Sequence, residues 1–373
     1  MSLVLYRKYR PRTFSEVIGQ EHVVKTLTNA ILSGIISHAY LFYGPRGSGK
    51  TTIARLLAKA LNCESRQGFE PCNKCSTCLE INDGRALDLI EIDAASHRGI
   101  DEIRELRDGI RFVPTKSKYK VFIVDESHQL TREAANALLK TLEEPPDYAI
   151  FILATTEIHK MIPTIVSRCQ RFDFRRLTVP EIIRKLEWIC QNEKIEIEKP
   201  ALELISLNAS GSFRDAESLL DQALTFSGTL GKERKISAED IKNLLGLVEI
   251  NLIQSFVDLI SQKNTSGAIK FLNEKIDQGL DLQEFAKALI NYLRQMLILK
   301  TVGVSDNKNP IISGLTKEEF QKLQSQTENF TESEIFKILN LFLEAENKMK
   351  YSPILQLPLE LAIIEILQPE IKL

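Results

Sequence analysis

Three stretches carry residue types whose spacing could do chemistry. The first is "GPRGSGKT", residues 44–51, a G-x-x-x-x-G-K-[ST] pattern lying between an apolar run and a helical one. Gly44, Gly47 and Gly49, with Pro45, Arg46 and Ser48 between them, let the backbone turn its amides inward around phosphate oxygens. The helix that opens at Lys50 and continues through Thr51 and Thr52 adds positive potential at its start. Lys50 would reach the β- and γ-phosphates of a nucleotide, and the Thr51 hydroxyl would bind Mg2+. A glycine-rich turn without a ligand is the competing reading; strand, motif and helix in that order argue against it.

The second stretch is "VFIVDESH", residues 121–128, an apolar run ending in two carboxylates. Asp125 would hold Mg2+ through water, and Glu126 would orient or deprotonate an attacking water, which points to hydrolysis rather than transfer to a second molecule. Adjacent acids at a strand end can also simply cap a turn. The third stretch is "CESRQGFEPCNKCSTC", residues 63–78. Cys63, Cys72, Cys75 and Cys78 stand at C-x8-C-x2-C-x2-C, and four thiolates make a closed tetrahedral Zn2+ site of the structural kind. Catalytic thiol chemistry would want a nearby base, and His97 is the one candidate in local sequence. Cys169 and Cys190 stand alone and read as ordinary part-buried thiols.

These residues need elements to position them. "HAYLFY" (38–43), "ALDLIEID" (86–93), "KYKVFIVD" (118–125) and "YAIFILATT" (148–156) are near-continuous apolar runs, the mark of parallel strands covered on both faces. Helical patterns lie between them; residues 50–61 put Ile53, Leu56, Leu57, Ala60 and Leu61 on one face. Strand–helix alternation of this kind predicts a doubly wound α/β P-loop domain over residues 1–177, with the cysteine module inserted in it. After "RFDFRRLTVP" the strands are expected to stop. Helices are expected from Thr178 through Trp188, over 201–209, over 213–226 and from a cap at Ser237 to Gly246, together a helical lid domain over 178–246. Residues 247–373 read as all-α, with Thr331 and Glu334 in a capping-box pattern.

The chain has 373 residues, 43% hydrophobic and 26% charged, with a net charge of -2. At roughly 150 residues per domain, two or three domains are expected. That balance excludes a strongly basic nucleic-acid wrapper but not a local basic face. No run approaches the ~18 consecutive apolar residues of a membrane helix, and none has signal-peptide form. The expectation is a cytoplasmic protein without membrane contact, where thiols stay reduced and a metal reading of the cysteines is favoured over disulfides.

In order along the chain, "YRPRTFSEVIGQEHV", "GPRGSGKTT", "DESH", "LATTE", "SRC" and "GSFRDAESLLDQ" resemble the AAA+ clamp-loader ATPases, and the four-cysteine insertion resembles the gamma/tau subunits of bacterial DNA polymerase III. The specific motifs cover Tyr6 to Gln222; the remainder is similar only as a helical oligomerisation region. The resemblance implies an ATPase motor that loads a ring-shaped sliding clamp onto primed DNA, without polymerase chemistry of its own. Its partners would be other clamp-loader subunits in a hetero-pentamer, the sliding clamp, and primer–template DNA bound without sequence specificity. It further implies that Tyr9, Arg10 and Pro11, with Val17 and Ile18, line the adenine pocket. Thr156, with Thr155 as competitor, would sense the γ-phosphate or the lytic water. Arg214 at a lid-helix start would reach the γ-phosphate, and Arg168 in "SRC" would act as an arginine finger in a neighbour's ATP site. Helix starts at Ser96–Arg98 and Thr131 would face duplex phosphates. The longer tau form of the family carries further regions for helicase and polymerase contacts, so a gamma-like or trimmed length is expected here. A branch-migration motor and an ATP-gated scaffold are the competing functions; Glu126 argues against the scaffold.

Overall fold

The computed structural model describes residues 4–96, 109–110, 112–226, 234–246, 248–303 and 317–368. They form two compact units, one within 1–241 and one within 242–373. The first begins with α1 (Leu5–Lys8) and α2 (Glu21–Ser33), then alternates β1 (Ala39–Tyr43), α3 (Lys50–Asn62), α4 (Ser76–Asp83), β2 (Leu89–Asp93), β3 (Lys120–Asp125), α5 (Arg132–Glu143), β4 (Ala149–Thr155), α6 (Pro163–Val166) and β5 (Gln170–Asp173). The five strands make one parallel sheet in the order β2-β3-β4-β1-β5.

Both sheet faces are covered, which is why the strands read as unbroken apolar runs. Tyr40, Phe42, Val121, Ile123, Ile150 and Ile152 point into a core with Val23, Leu27 and Ile31 of α2 and Ile53, Leu56 and Leu57 of α3. The alternate residues Leu41, Phe122, Val124, Phe151 and Leu153 point to the other side, against Leu138 and Leu142 of α5 and Ile165 of α6. Because the strands are parallel, their C-terminal ends share one edge, and ligands of open α/β sheets bind outside that edge.

The same unit continues through α7 (Val179–Glu193), β6 (Ile195–Ile197), α8 (Lys199–Asn208), α9 (Phe213–Phe226) and β7 (Arg234–Ile236) to the first residues of α10 (Ala238–Leu245), within which the division at residue 241 falls. Glu181 closes a capping box at the start of α7, accepting from the Thr178 amide at 2.8 Å. The expectation that strands stop after residue 177 is corrected in one respect: β6 and β7 pair in parallel, three residues each. Segments that short give no periodicity to read. Helix α7 also runs five residues past Trp188 and ends at Lys194 in a left-handed conformation.

In the second unit, α11 (Ile250–Ser261), α12 (Thr265–Asp277), α13 (Leu282–Val302), α14 (Lys317–Glu328), α15 (Glu332–Met349) and α16 (Leu357–Leu367) enclose a core. Phe256 sits at its centre, with the rings of Phe271, Phe285 and Phe342 at centroid distances of 6.0, 5.2 and 6.2 Å. The Thr331–Glu334 capping box opens α15. Among the described residues no single helix is long and apolar enough to cross a membrane.

Candidate functional site

The loop at residues 44–49 joins the end of β1 to α3, with Gly47 (φ 73°) and Gly49 (φ 98°) in left-handed conformations. Gly47 has a second constraint: a Cβ there would meet the Ser212 Oγ at 1.9 Å. The loop is therefore pressed directly against the segment that starts α9. The Phe213 amide donates to the Gly47 carbonyl at 3.2 Å. Lys50 is 6% exposed, and its ammonium donates to the carbonyls of Gly44 and Pro45, both at 2.9 Å. Burial lowers its pKa, against the pull of Asp125 and Glu126.

The end of β3 brings the acids to this loop. The Thr51 hydroxyl donates to Asp125 Oδ2 at 2.6 Å, so the two oxygens expected to bind Mg2+ already meet. Hard oxygen donors of this kind are what Mg2+ takes. Glu126 adopts a left-handed conformation (φ 46°), uncommon for a residue with a Cβ and costing on the order of 1–3 kcal/mol. Glu126 Oε2 accepts from the Thr156 hydroxyl at 3.1 Å. Thr155, the competing residue, is fully buried and bonds the His128 ring at 2.9 Å instead. Ser127 is buried, with its hydroxyl on the Ala154 carbonyl at 3.0 Å.

One cavity gathers most of the residues singled out by sequence. Tyr9, Arg10, Pro11, Val17 and Ile18 line it together with residues 46–53, Asp125, Glu126 and Arg214. Gly44 and Pro45 stand just behind, holding Lys50. The Arg214 guanidinium sits over the Tyr6 ring at 5.1 Å. Arg168 is not in the cavity. Its guanidinium pairs with Glu143 at 2.7 Å and donates to the Thr164 carbonyl at 2.8 Å, with the side chain 34% exposed. The helix start at Thr131 is capped by its own hydroxyl, which accepts from the Ala134 amide at 3.2 Å. His97 and Arg98 lie outside the described residues.

Sequence reasoning missed Lys185 and Glu217, which line the same cavity. Lys185 is 5% exposed; its ammonium donates to the Tyr9 carbonyl at 3.0 Å and lies 4.5 Å from the Trp188 ring centroid. Nothing in the sequence around it marks this. Glu217 is three residues after Arg214 on α9, a spacing that puts both on one helix face and could have been read.

The four cysteine sulfurs lie within 4.8 Å of one another, and those of Cys72 and Cys78 are 4.0 Å apart. A tetrahedron with ~2.3 Å metal–sulfur bonds fits that spacing. Amides already point at the sulfurs: Cys72 N at Cys63 Sγ (3.2 Å), Cys75 N at Cys72 Sγ (3.2 Å) and Cys78 N at Cys75 Sγ (3.4 Å). The amides of Lys74 and Cys75 hold the Cys72 thiol down at about 6, whereas burial pushes the thiols of Cys63 and Cys78 up.

Residues 19–178 match the family described as DNA polymerase III, delta subunit. Residues 181–229 match the ATPase lid domain of the DNA polymerase III clamp loader subunit, and residues 236–370 match domain III of DNA polymerase III subunits gamma and tau. DNA polymerase III subunit tau of Bacillus subtilis is 44% identical over 369 residues, 98% of this chain and 63% of its own length. The tau subunit of Escherichia coli is 42% identical over 297 residues, 80% of this chain and 45% of its own. The gamma subunit of Buchnera aphidicola is 34% identical over 364 residues, 98% of each chain. This chain thus spans less than two thirds of the two tau proteins it matches. It belongs to the gamma and tau family of DNA polymerase III clamp-loader subunits.

Proposed function

We propose that the chain is an ATPase motor subunit of a DNA polymerase III clamp loader, which uses ATP binding and hydrolysis to load a sliding clamp onto primed DNA. The observation that carries this reading is the hydrogen bond from the Phe213 amide to the Gly47 carbonyl. It ties the first residue of lid helix α9 to the phosphate loop, a link through which a nucleotide in the loop would bias the lid.

In the proposed mechanism, β- and γ-phosphate oxygens replace the two carbonyls on the Lys50 ammonium. The loop amides and the start of α3 take the remaining phosphate charge. Mg2+, held through Thr51 and Asp125, neutralises charge on the phosphates when bound. Glu126 accepts a proton from, or orients, the water that attacks the γ-phosphorus, and Thr156 keeps that carboxylate in place. Arg214 would leave the Tyr6 ring for the γ-phosphate and draw the lid inward. Arg168, partly exposed and outside its own cavity, would serve the ATP site of a neighbouring subunit. Cys63, Cys72, Cys75 and Cys78 would hold a structural Zn2+ with no open position for substrate. Primer–template DNA would be held through its phosphates and would trigger hydrolysis.

Domain assignments of 1–177 for ATP binding, 178–246 for the lid and 247–373 for the collar accompany this reading. On α15, Phe336 and Leu343 are exposed at 58% and 39% and stand seven residues apart, on one face. Such a face suits packing against other subunits.

The test is the ATPase rate with and without sliding clamp, primed DNA and partner subunits. Stimulation by the three together is expected. A rate indifferent to all of them overturns clamp loading. Glu126→Gln should cut hydrolysis by about 10²-fold or more while ATP still binds.

A further inference from the structure

The cavity has two chemically different ends. Arg46 to Thr52 with Asp125 and Glu126 make one, suited to phosphates and metal. Away from these, Pro11, Val17 and Ile18 offer apolar walls; Arg10, Lys185, Glu217 and Glu16 form a charged group close enough to feel one another, and Tyr6, Arg7, Tyr9 and Arg214 complete the lining. Lys185 is already engaged with the Tyr9 carbonyl. Glu217 is not. It is 6% exposed, lines the cavity, and has no side-chain hydrogen bond or ion pair within bonding distance among the described residues. Buried carboxyls are almost always hydrogen-bonded, so one left open on a cavity wall calls for a donor from the ligand. Its neighbourhood agrees: burial pushes the Glu217 carboxyl up to about 7, against the opposing pull of Lys185 and Arg10.

The nucleotide part that can supply the donor follows by exclusion. Phosphates are acceptors and belong at the other end; the ribose hydroxyls are donors as well, and the dATP comparison below separates the 2′-hydroxyl from the base. A planar base suits the apolar side chains of Pro11, Val17 and Ile18 on the cavity wall, and adenine's one strong donor is its exocyclic amine. We propose that Glu217 reads the base, its carboxyl oxygen accepting a hydrogen bond from the adenine amine, so that the cavity selects adenine nucleotides over purine nucleotides lacking that amine. This rests on the nucleotide reading above and names the residue that sets base choice.

The experiment measures equilibrium binding of ATP, dATP, ITP and purine riboside triphosphate to the full chain, to Glu217→Leu and to Glu217→Gln. The full chain should bind ATP and dATP alike, and each about tenfold or more tighter than ITP or purine riboside triphosphate. Glu217→Leu should lose that preference. Glu217→Gln, whose amide carbonyl still accepts, should keep most of it. Equal binding of ATP and purine riboside triphosphate by the full chain overturns the proposal without any substitution. So does a penalty that follows the 2′-hydroxyl, or a preference unchanged in Glu217→Leu. Should the full chain bind none of the four, the nucleotide reading itself falls, and this inference with it.

Discussion

Glu217 makes a second prediction at the scale of single residues, independent of any ligand. Burial raises its carboxyl to about 7, with Lys185 on α7 and Arg10 in the N-terminal segment pulling it down and Asp221 on its own helix pushing it up. An unfolded chain holds a glutamate near 4.3. A group whose folded pKa lies above the unfolded one contributes its full stabilisation below the unfolded value and loses it as pH rises through the folded one. The nucleotide-free melting temperature should therefore lose this contribution as pH rises from about 4 to about 7 and level off above that, and Glu217→Gln should flatten that fall. Thermal scans of both proteins across this window check it; parallel curves would mean that the carboxyl is not buried as described. The same scale separates what sequence could and could not tell. Motif spacing predicts that Lys50, Thr51, Asp125 and Glu126 act together, and the fold does bring the four to one cavity. Sequence prefers Thr156 over its competitor Thr155 only through the resemblance, since the choice depends on the pleat at the end of β4. That pleat turns the Thr155 hydroxyl to buried His128 and the Thr156 hydroxyl to Glu126.

Among elements, the instructive one is α3, which carries Lys50, the lysine proposed to bind phosphate, at its first residue and is followed at once by Cys63. Thirteen residues at ~1.5 Å each place its ends about 20 Å apart. At the far end Lys59, 2% exposed, donates to Asn73 at 2.7 Å and Asn82 at 2.9 Å, tying the cysteine knuckle to the helix. Purified protein should carry about one zinc per chain, as metal analysis after preparation without chelator would measure. Stripping the metal should lower the melting temperature by several degrees and expose residues 63–78 to proteolysis. ATP binding should persist, because the phosphate end of α3 keeps its own contacts. An unchanged melting curve after verified zinc loss would remove the structural role. Elements were legible in the sequence wherever their hydrophobic period ran long enough. The four long strands and α9 lie where the apolar runs put them. The four-residue edge strand β5 and the β6–β7 pair hid in segments too short to have a period.

At the scale of the whole molecule, Arg168 asks for a second subunit. A cationic group stabilises the transferring phosphoryl only if it reaches the γ-phosphate, and within its own chain Arg168 stands outside the cavity, paired to Glu143 and the Thr164 carbonyl. Exposed ion pairs of this kind are worth at most about 1 kcal/mol, so a neighbour's triphosphate can outcompete Glu143 for the guanidinium. The consequence separates binding from assembly. Arg168→Ala should leave the ATP affinity of the isolated chain unchanged, because no contact to its own cavity is removed. In the reconstituted loader with clamp and primed DNA, the same substitution should remove stimulated hydrolysis by on the order of 10³-fold, the scale of arginine fingers. Glu143→Gln, which frees Arg168 without altering it, should leave stimulated hydrolysis intact or raise it. Full stimulation in the Arg168→Ala assembly, or a weakened ATP affinity in the isolated Arg168→Ala chain, would show that the arginine does not act across a subunit boundary.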